Sequence, residues 1–201
     1  MRVLAACLFF IFTFHHSFSQ IAGGEVHGNI QVDAQYYNPD SSIGAPAVPE
    51  KMLENSFANI IYTNNNFSAG LRFESYLNTM QGFDPRYSSP GTGIPFRYAG
   101  FKIDALEVTA GNFYEQFGSG LIFRSYEERG LGLDNAMDGI RLKYAPFRGI
   151  SIKGVWGKQR NYWSLGPGIV RGADADFSIN EIFSKLSEKK NPVYFGRKHC
   201  Q

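Results

Sequence analysis

GEVHGNIQVDAQYY, residues 24–37, alternates without interruption. Val26, Gly28, Ile30, Val32, Ala34 and Tyr36 fall on one side of an extended chain, and Glu25, His27, Asn29, Gln31, Asp33 and Gln35 on the other. Two surroundings ask for such a pattern: a soluble sheet with one wet face, or a membrane-spanning barrel whose lipid face is apolar and whose lumen is polar. The stretch is compatible with both, so the decision passes to the rest of the chain.

The same alternation recurs in seven further segments: Ser56–Tyr62, Phe67–Tyr76, Tyr98–Ile103, Leu106–Tyr114, Met137–Tyr144, Ile150–Gly157 and Gly172–Asn180. Their connections alternate as well. NPDSSIGAPAVPEKMLEN is long and the Asn64–Asn66 turn short; QGFDPRYSSPGTGIPF is long and Asp104–Ala105 tight; EQFGSGLIFRSYEERGLGLDN is long, APFRG short and RNYWSLGPG longer. Bacterial barrels have short turns on one side of the membrane and long loops on the other. Counting LIFRSY (121–126) as a spanning strand would break this order, so it is assigned to a loop that folds into the lumen, with Arg124, Glu127, Glu128 and Arg129 as its constriction charges. Aromatic residues at segment ends suggest two interfacial belts: Tyr36, Tyr37, Tyr76, Phe113, Tyr114, Tyr162 and Trp163 at one end, Tyr62, Phe67, Tyr144 and Phe147 at the other.

The expected architecture is therefore all-β: an antiparallel up-and-down transmembrane β-barrel, or the N-terminal part of a larger one. Its lumen-facing residues are Glu25, His27, Asn29, Gln31, Asp33, Arg72, Glu74, Lys102, Glu107, Arg141, Lys143, Lys153, Asp174 and Asp176. The alternative is a secreted or periplasmic β-sandwich binding module, an adhesin or carbohydrate binder, in which Val26, Ile30, Val32, Leu71, Phe73, Ile140 and Ile152 face a dry core.

Residues 1–19 read as a signal peptide: Arg2, a twelve-residue apolar stretch from Val3 to Phe14, then Ser17 and Ser19 before Gln20. The stretch is too short for a spanning helix, which needs about 20 residues. Residues 20–180 form the expected barrel region of about eight strands. Residues 181–201 read as a short helix, with Asn180 as its cap and Lys185–Lys190 within it, followed by a tail that begins a further strand near Asn191–Phe195 and stops. The ending FGRKHCQ lacks the aromatic-terminated strand that the barrel-insertion machinery reads, which suggests a truncated chain. After processing only Cys200 of the 2 cysteines remains, so no internal disulfide is expected.

A formal charge of +2, with five basic residues gathered in Lys185–Lys198, gives no basic surface for nucleic acid. The Asp-x-Asp at Asp174–Asp176 lacks the sixth-position glycine of a calcium loop, where Ile179 stands. The glycines of GSGLIF and RGLGL lack phosphate-loop spacing. With His27 and His199 the only histidines beyond the leader, a Ser/His hydrolase ranks third among the readings, and no catalytic residue, cofactor or metal is assigned.

GNFYEQFGSGLIFRSYEERGLGLDNAMDGIRLKY, with GKQRNYW and RGADADFSINEIF, resembles an uncharacterised family of Bacteroidota proteins. The resemblance runs from about Gly24 to about Gly196. It implies a signal peptide, an outer-membrane β-barrel and members longer than this chain; it implies no activity and no site residues. The resulting expectation is a noncatalytic outer-membrane protein, a pore, transport or structural component. Its partners would be outer-membrane lipid, the insertion machinery and a small solute.

Overall fold

In the computed structural model the described residues are 20–182, apart from 22, 46, 48 and 49, together with 194–200. The strands are β1 (Gln20–Ile21), β2 (Gly24–Tyr36), β3 (Met52–Asn64), β4 (Phe67–Leu77), β5 (Thr92–Ile103), β6 (Leu106–Phe113), β7 (Glu127–Glu128), β8 (Leu133–Asp134), β9 (Met137–Tyr144), β10 (Ile150–Asn161), β11 (Ser164–Leu165), β12 (Val170–Ser178) and β13 (Tyr194–Cys200). One helical turn, α1 (Ile179–Ile182), follows β12. The chain is all-β and antiparallel. Its main sheet runs β1-β2-β3-β4-β5-β6-β9-β10-β12-β13, with β11 on the end of β10, and β7–β8 form a separate hairpin inside the loop between β6 and β9. LIFRSY contributes no strand to the main sheet; only a single bridge, Gln116 to Arg124, touches it.

Two expectations need correction. The strands run further than the alternation: β3 starts at Met52, β5 at Thr92, and β10 continues to Asn161. Polar-inward alternation fails toward the long-loop ends, where Leu53 is buried on the inner side and Phe57 and Tyr76 pack with Tyr87 of a long connection. The further strand expected to begin near Asn191–Phe195 and stop runs on: β13 pairs with β12 from Tyr194 to Cys200. Among the described residues the sheet is open: the two-residue β1 covers only Gly24 and Glu25 of β2, and no pairing joins β1 or β2 to β13. The signal peptide and the Lys185–Lys190 helix lie outside the described residues.

The sheet is nonetheless strongly curled. Strands β4 and β10 are four steps apart, about 19 Å in a flat sheet at ~4.8 Å per step, yet Glu74 Oε2 and Arg160 Nη2 lie 2.7 Å apart. Two features make the curl. Pro95, which has no N–H for the ladder, sits where the β4–β5 register jumps from Arg72–Phe96 to Glu74–Gly93, a bulge that increases twist. A row of glycines, broken only by Tyr98 on β5, also crosses the inner face: Gly70 opposite Tyr98, Tyr98 opposite Gly111, then Gly139 and Gly157. A Cβ on Gly139 would meet the Trp156 carbonyl oxygen at 2.1 Å, a backbone atom that cannot step aside. Glycine there lets the backbones approach as curvature demands.

Candidate functional site: the inner face and its inserted loop

Polarity is inverted relative to a water-soluble sheet. Side chains of Arg72, Glu74, Asn55, Arg160 and Asp174 are buried, whereas Ile30 is 79% exposed and Val32, Ile60, Leu71, Phe73, Phe101, Ile140, Leu142, Ile152 and Trp156 are exposed with it. All the exposed residues named belong to the outer face. A second sheet packed on that face, as the sandwich alternative requires, is absent among the described residues.

The limit of this apolar zone is oblique. Tyr62, Ala69, Ala99, Ala110, Ile140, Trp156 and Arg171 stand at one level across the ladder from β3 to β12. Measured from that level toward the long-loop end, the first polar outer residue is Ser56 on β3, Ser75 on β4, Arg97 on β5, Asn112 on β6, Asp138 on β9, Lys158 on β10, and Arg171 itself on β12. The limit lies six residues from that level on β3 and β4, two on β5, β6, β9 and β10, and none on β12, a mean fall of about one residue per strand step, roughly 3.3 Å per ~4.8 Å, or about 35° end to end. Beyond it the outer face is mixed, with Met52 and Ile94 exposed.

The segment between β6 and β9 lies against the inner wall. Phe117 and Phe123 pack with Phe113, Met137 and Val155 into a small core. Arg72 ties the wall to this loop through Glu127 (2.8 Å), through Asp134, and through the Tyr114 hydroxyl (3.3 Å). Arg160 adds Asp134 (2.6 Å) and a two-point pair with Glu74 (3.1 and 2.7 Å), the Glu74 side chain being 0% exposed. The Tyr76 hydroxyl donates to Glu74 at 3.1 Å. Burial pushes the Tyr114 hydroxyl pKa up, with the Asp134 carboxylate adding to the rise, so it remains a donor to Asp134 at 3.0 Å.

A second group gathers around Glu115. Lys143 Nζ lies at 2.8 Å, Lys153 Nζ at 3.2 Å and Arg141 at 3.7 Å, and Arg141 also donates to Glu107 at 2.5 Å. Burial opposes ionisation of Glu115, but the Lys143 contact and the Gln116 N–H outweigh it and hold the carboxyl below its ordinary range. Beside this group, Arg141, Thr109, Tyr98 and Lys102 line a cavity of about 410 Å³.

The expected lumen residues thus divide. Arg72, Glu74, Glu107, Arg141, Lys143 and Lys153 converge in the two charge groups. Asp174 is buried and accepts the Gly118 N–H at 3.1 Å. Asp176 follows it on the same side near the short turns, where it lines a separate cavity with Phe147. On the marginal β2, Glu25 pairs with His27 at 3.2 Å, Gln31 donates to Asp33 at 2.9 Å, and Asn59 donates to Asn29 at 2.7 Å, all exposed. Lys102 is exposed at the cavity mouth.

Of the loop charges, Glu127 and Arg129 face inward: Arg129 donates to Glu127 and to Gln31, both at 2.8 Å. Arg124 and Glu128 are exposed, and Arg124 stacks on Tyr126 at 4.1 Å. The belt also needs correction. Tyr76 and Phe113 point inward and are buried, and Tyr162 and Trp163 pack on Tyr87, because the long connections fold over this end of the sheet. Arg160, Asp134, Tyr114 and Glu115 were missed; the signal for Glu115 is that it continues the inward alternation Glu107, Thr109, Gly111, Phe113.

The model of a family of unknown function, DUF6029, matches residues 1–197. The chain belongs to that family. No curated protein and no solved structure matches it. For this DUF6029 member the functional reading therefore rests on the two faces of the sheet.

Proposed function

We propose that this DUF6029 chain is a noncatalytic outer-membrane β-barrel protein, or the N-terminal part of one, serving as a pore, a transport component or a structural element of the membrane. The observation that carries this reading is the exposed apolar outer face with its oblique limit. Strands of membrane barrels tilt by about 35–45° from the bilayer normal, so a horizontal hydrocarbon boundary crosses their ladder at that slope. A dry protein partner would set no such relation. Long connections lie at one end and short turns at the other, as in outer-membrane barrels, and the charged inner face is where a lumen would lie.

The test is membrane partition with site-directed labels. The exported chain should stay with the membrane after osmotic shock and show heat-modifiable mobility in detergent. Nitroxides at Ile30 and Leu142 should be reached by lipid-dissolved oxygen more readily than by an aqueous relaxation agent. Soluble release, or water access at both sites in the folded protein, overturns the reading.

A further inference from the structure

The row of inner-face residues at one level across β6, β9, β10 and β12 is Glu107, Lys143, Lys153, Asp174. Two lysines stand directly opposite one another in the ladder, an arrangement that costs stability in a sheet. Each has a carboxylate on its other side, so a structural purpose would be met by pairing Lys143 with Glu107 and Lys153 with Asp174. That pairing is not made. Glu107 goes to Arg141, Asp174 accepts the Gly118 N–H, and both ammoniums turn to Glu115, a residue of the inserted loop. Arg141 brings a third cation to the same carboxylate at 3.7 Å, and Arg141 also lines the adjoining cavity. Three cations from two strands converge on one anionic group that the wall itself does not supply.

We propose that Arg141, Lys143 and Lys153 form a binding site for a small multivalent anion bearing carboxylate or phosphate groups, and that Glu115 is an internal counterion which such a solute displaces. The inference rests on the reading of the inner face as a lumen and names the solute class that face would take. The 410 Å³ cavity gives the solute a place to approach Arg141 without first removing the loop. Displacing Glu115 breaks its contact with the Gln116 N–H, so solute binding loosens the loop where it leaves β6.

The experiment titrates inorganic pyrophosphate into the full chain folded in detergent, at low salt, by calorimetry. E115Q, which keeps the shape and removes the charge, should bind at least tenfold more tightly than the unaltered chain, and K143M/K153M in the E115Q background should abolish binding. Equal affinity of E115Q and the unaltered chain, or binding that survives loss of both lysines, overturns the site. Should E115Q fail to fold, the unaltered chain decides: pyrophosphate should increase protease cleavage within 114–136, and cleavage indifferent to it overturns the proposal. Heat-modifiable mobility of the same samples reports on the barrel reading separately, so folded protein without anion binding sinks only this inference.

Discussion

Replacing Arg160 by Met tests whether the inserted loop is held by buried charge. The change removes two bonds to Glu74, one to Asp134 and one to the Tyr162 carbonyl at 2.6 Å. Charge-assisted bonds contribute about 1.5–3 kcal/mol each, and a plain sum would overshoot, because partners remain. Glu74 keeps Arg72 and the Tyr76 hydroxyl; Asp134 keeps Arg72, Tyr114 and the Ala136 N–H. Unpairing one member of a buried ion pair costs about 3–5 kcal/mol, and the retained partners place R160M at the low end, near 3 kcal/mol, about a hundredfold in the unfolding equilibrium. Urea titration of the chain in lipid vesicles, followed by tryptophan emission, measures the global part. Protease cleavage within 114–136 measures the local part. R160M should lower stability by about 3 kcal/mol and expose the loop, and E74Q/R160M should recover part of the loss by removing the stranded carboxylate. A loss under about 1 kcal/mol, the range of exposed ion pairs, with the loop still protected, would show that the aromatic packing holds the loop and the charges do not.

Leu142→Arg places a cation near the centre of the apolar run on β9; it should cost about 2–4 kcal/mol in a bilayer, against about 0.5 kcal/mol or less on a wetted surface, as read by urea titration in vesicles. Gly139→Val should block the close approach of β9 to β10, and loss of heat-modifiable folding in that variant, with Gly154→Val tolerated because its added Cβ meets nothing within 4 Å, checks the origin of the curl. Acid should release the loop only at low pH: the folded pKa of Glu115 lies below its unfolded value of 4.5, so its contribution is complete above that value and is lost as pH falls through the folded one. Pepsin cleavage within 114–136 should therefore begin below pH 4.5, and onset well above it would refute the assignment.

The middle of each strand was legible because a side-chain period of two is visible wherever one face is apolar and the other polar. The strand ends were not, since burial under the long connections turns the inner face apolar: Phe57 on β3 and Tyr76 on β4 pack with Tyr87, and with the buried Leu53 they interrupt the pattern that a lumen face would show. The charge groups were half legible. Arg72 and Glu74 announce themselves at inner positions of a clean strand, but Asp134 and Arg160 meet them only through the curl and the returning loop, and neither contact has a sequence period. Exposed loop aromatics and buried ones look alike in the chain, which is why Tyr76 and Phe113 were assigned to a belt.

Strand direction adds a constraint on how such a sheet could complete itself in lipid. Every step from β2 to β13 is antiparallel, and eight steps separate them along β3, β4, β5, β6, β9, β10 and β12. The two long margins consequently run in the same direction, the two-residue β1 covering only Gly24 and Glu25 of β2. Joining them directly would make a parallel seam, whereas an antiparallel closure takes an odd number of intervening strands. A second copy in the same membrane orientation supplies no remedy, because its β13 would meet β2 in parallel too. Hydrocarbon leaves no unpaired margin satisfied, so on the barrel reading β2 and β13 are paired by one of these two routes. The exposed Ile30 and Val32 of β2 then belong to a continuous apolar band and are no longer the edge of one.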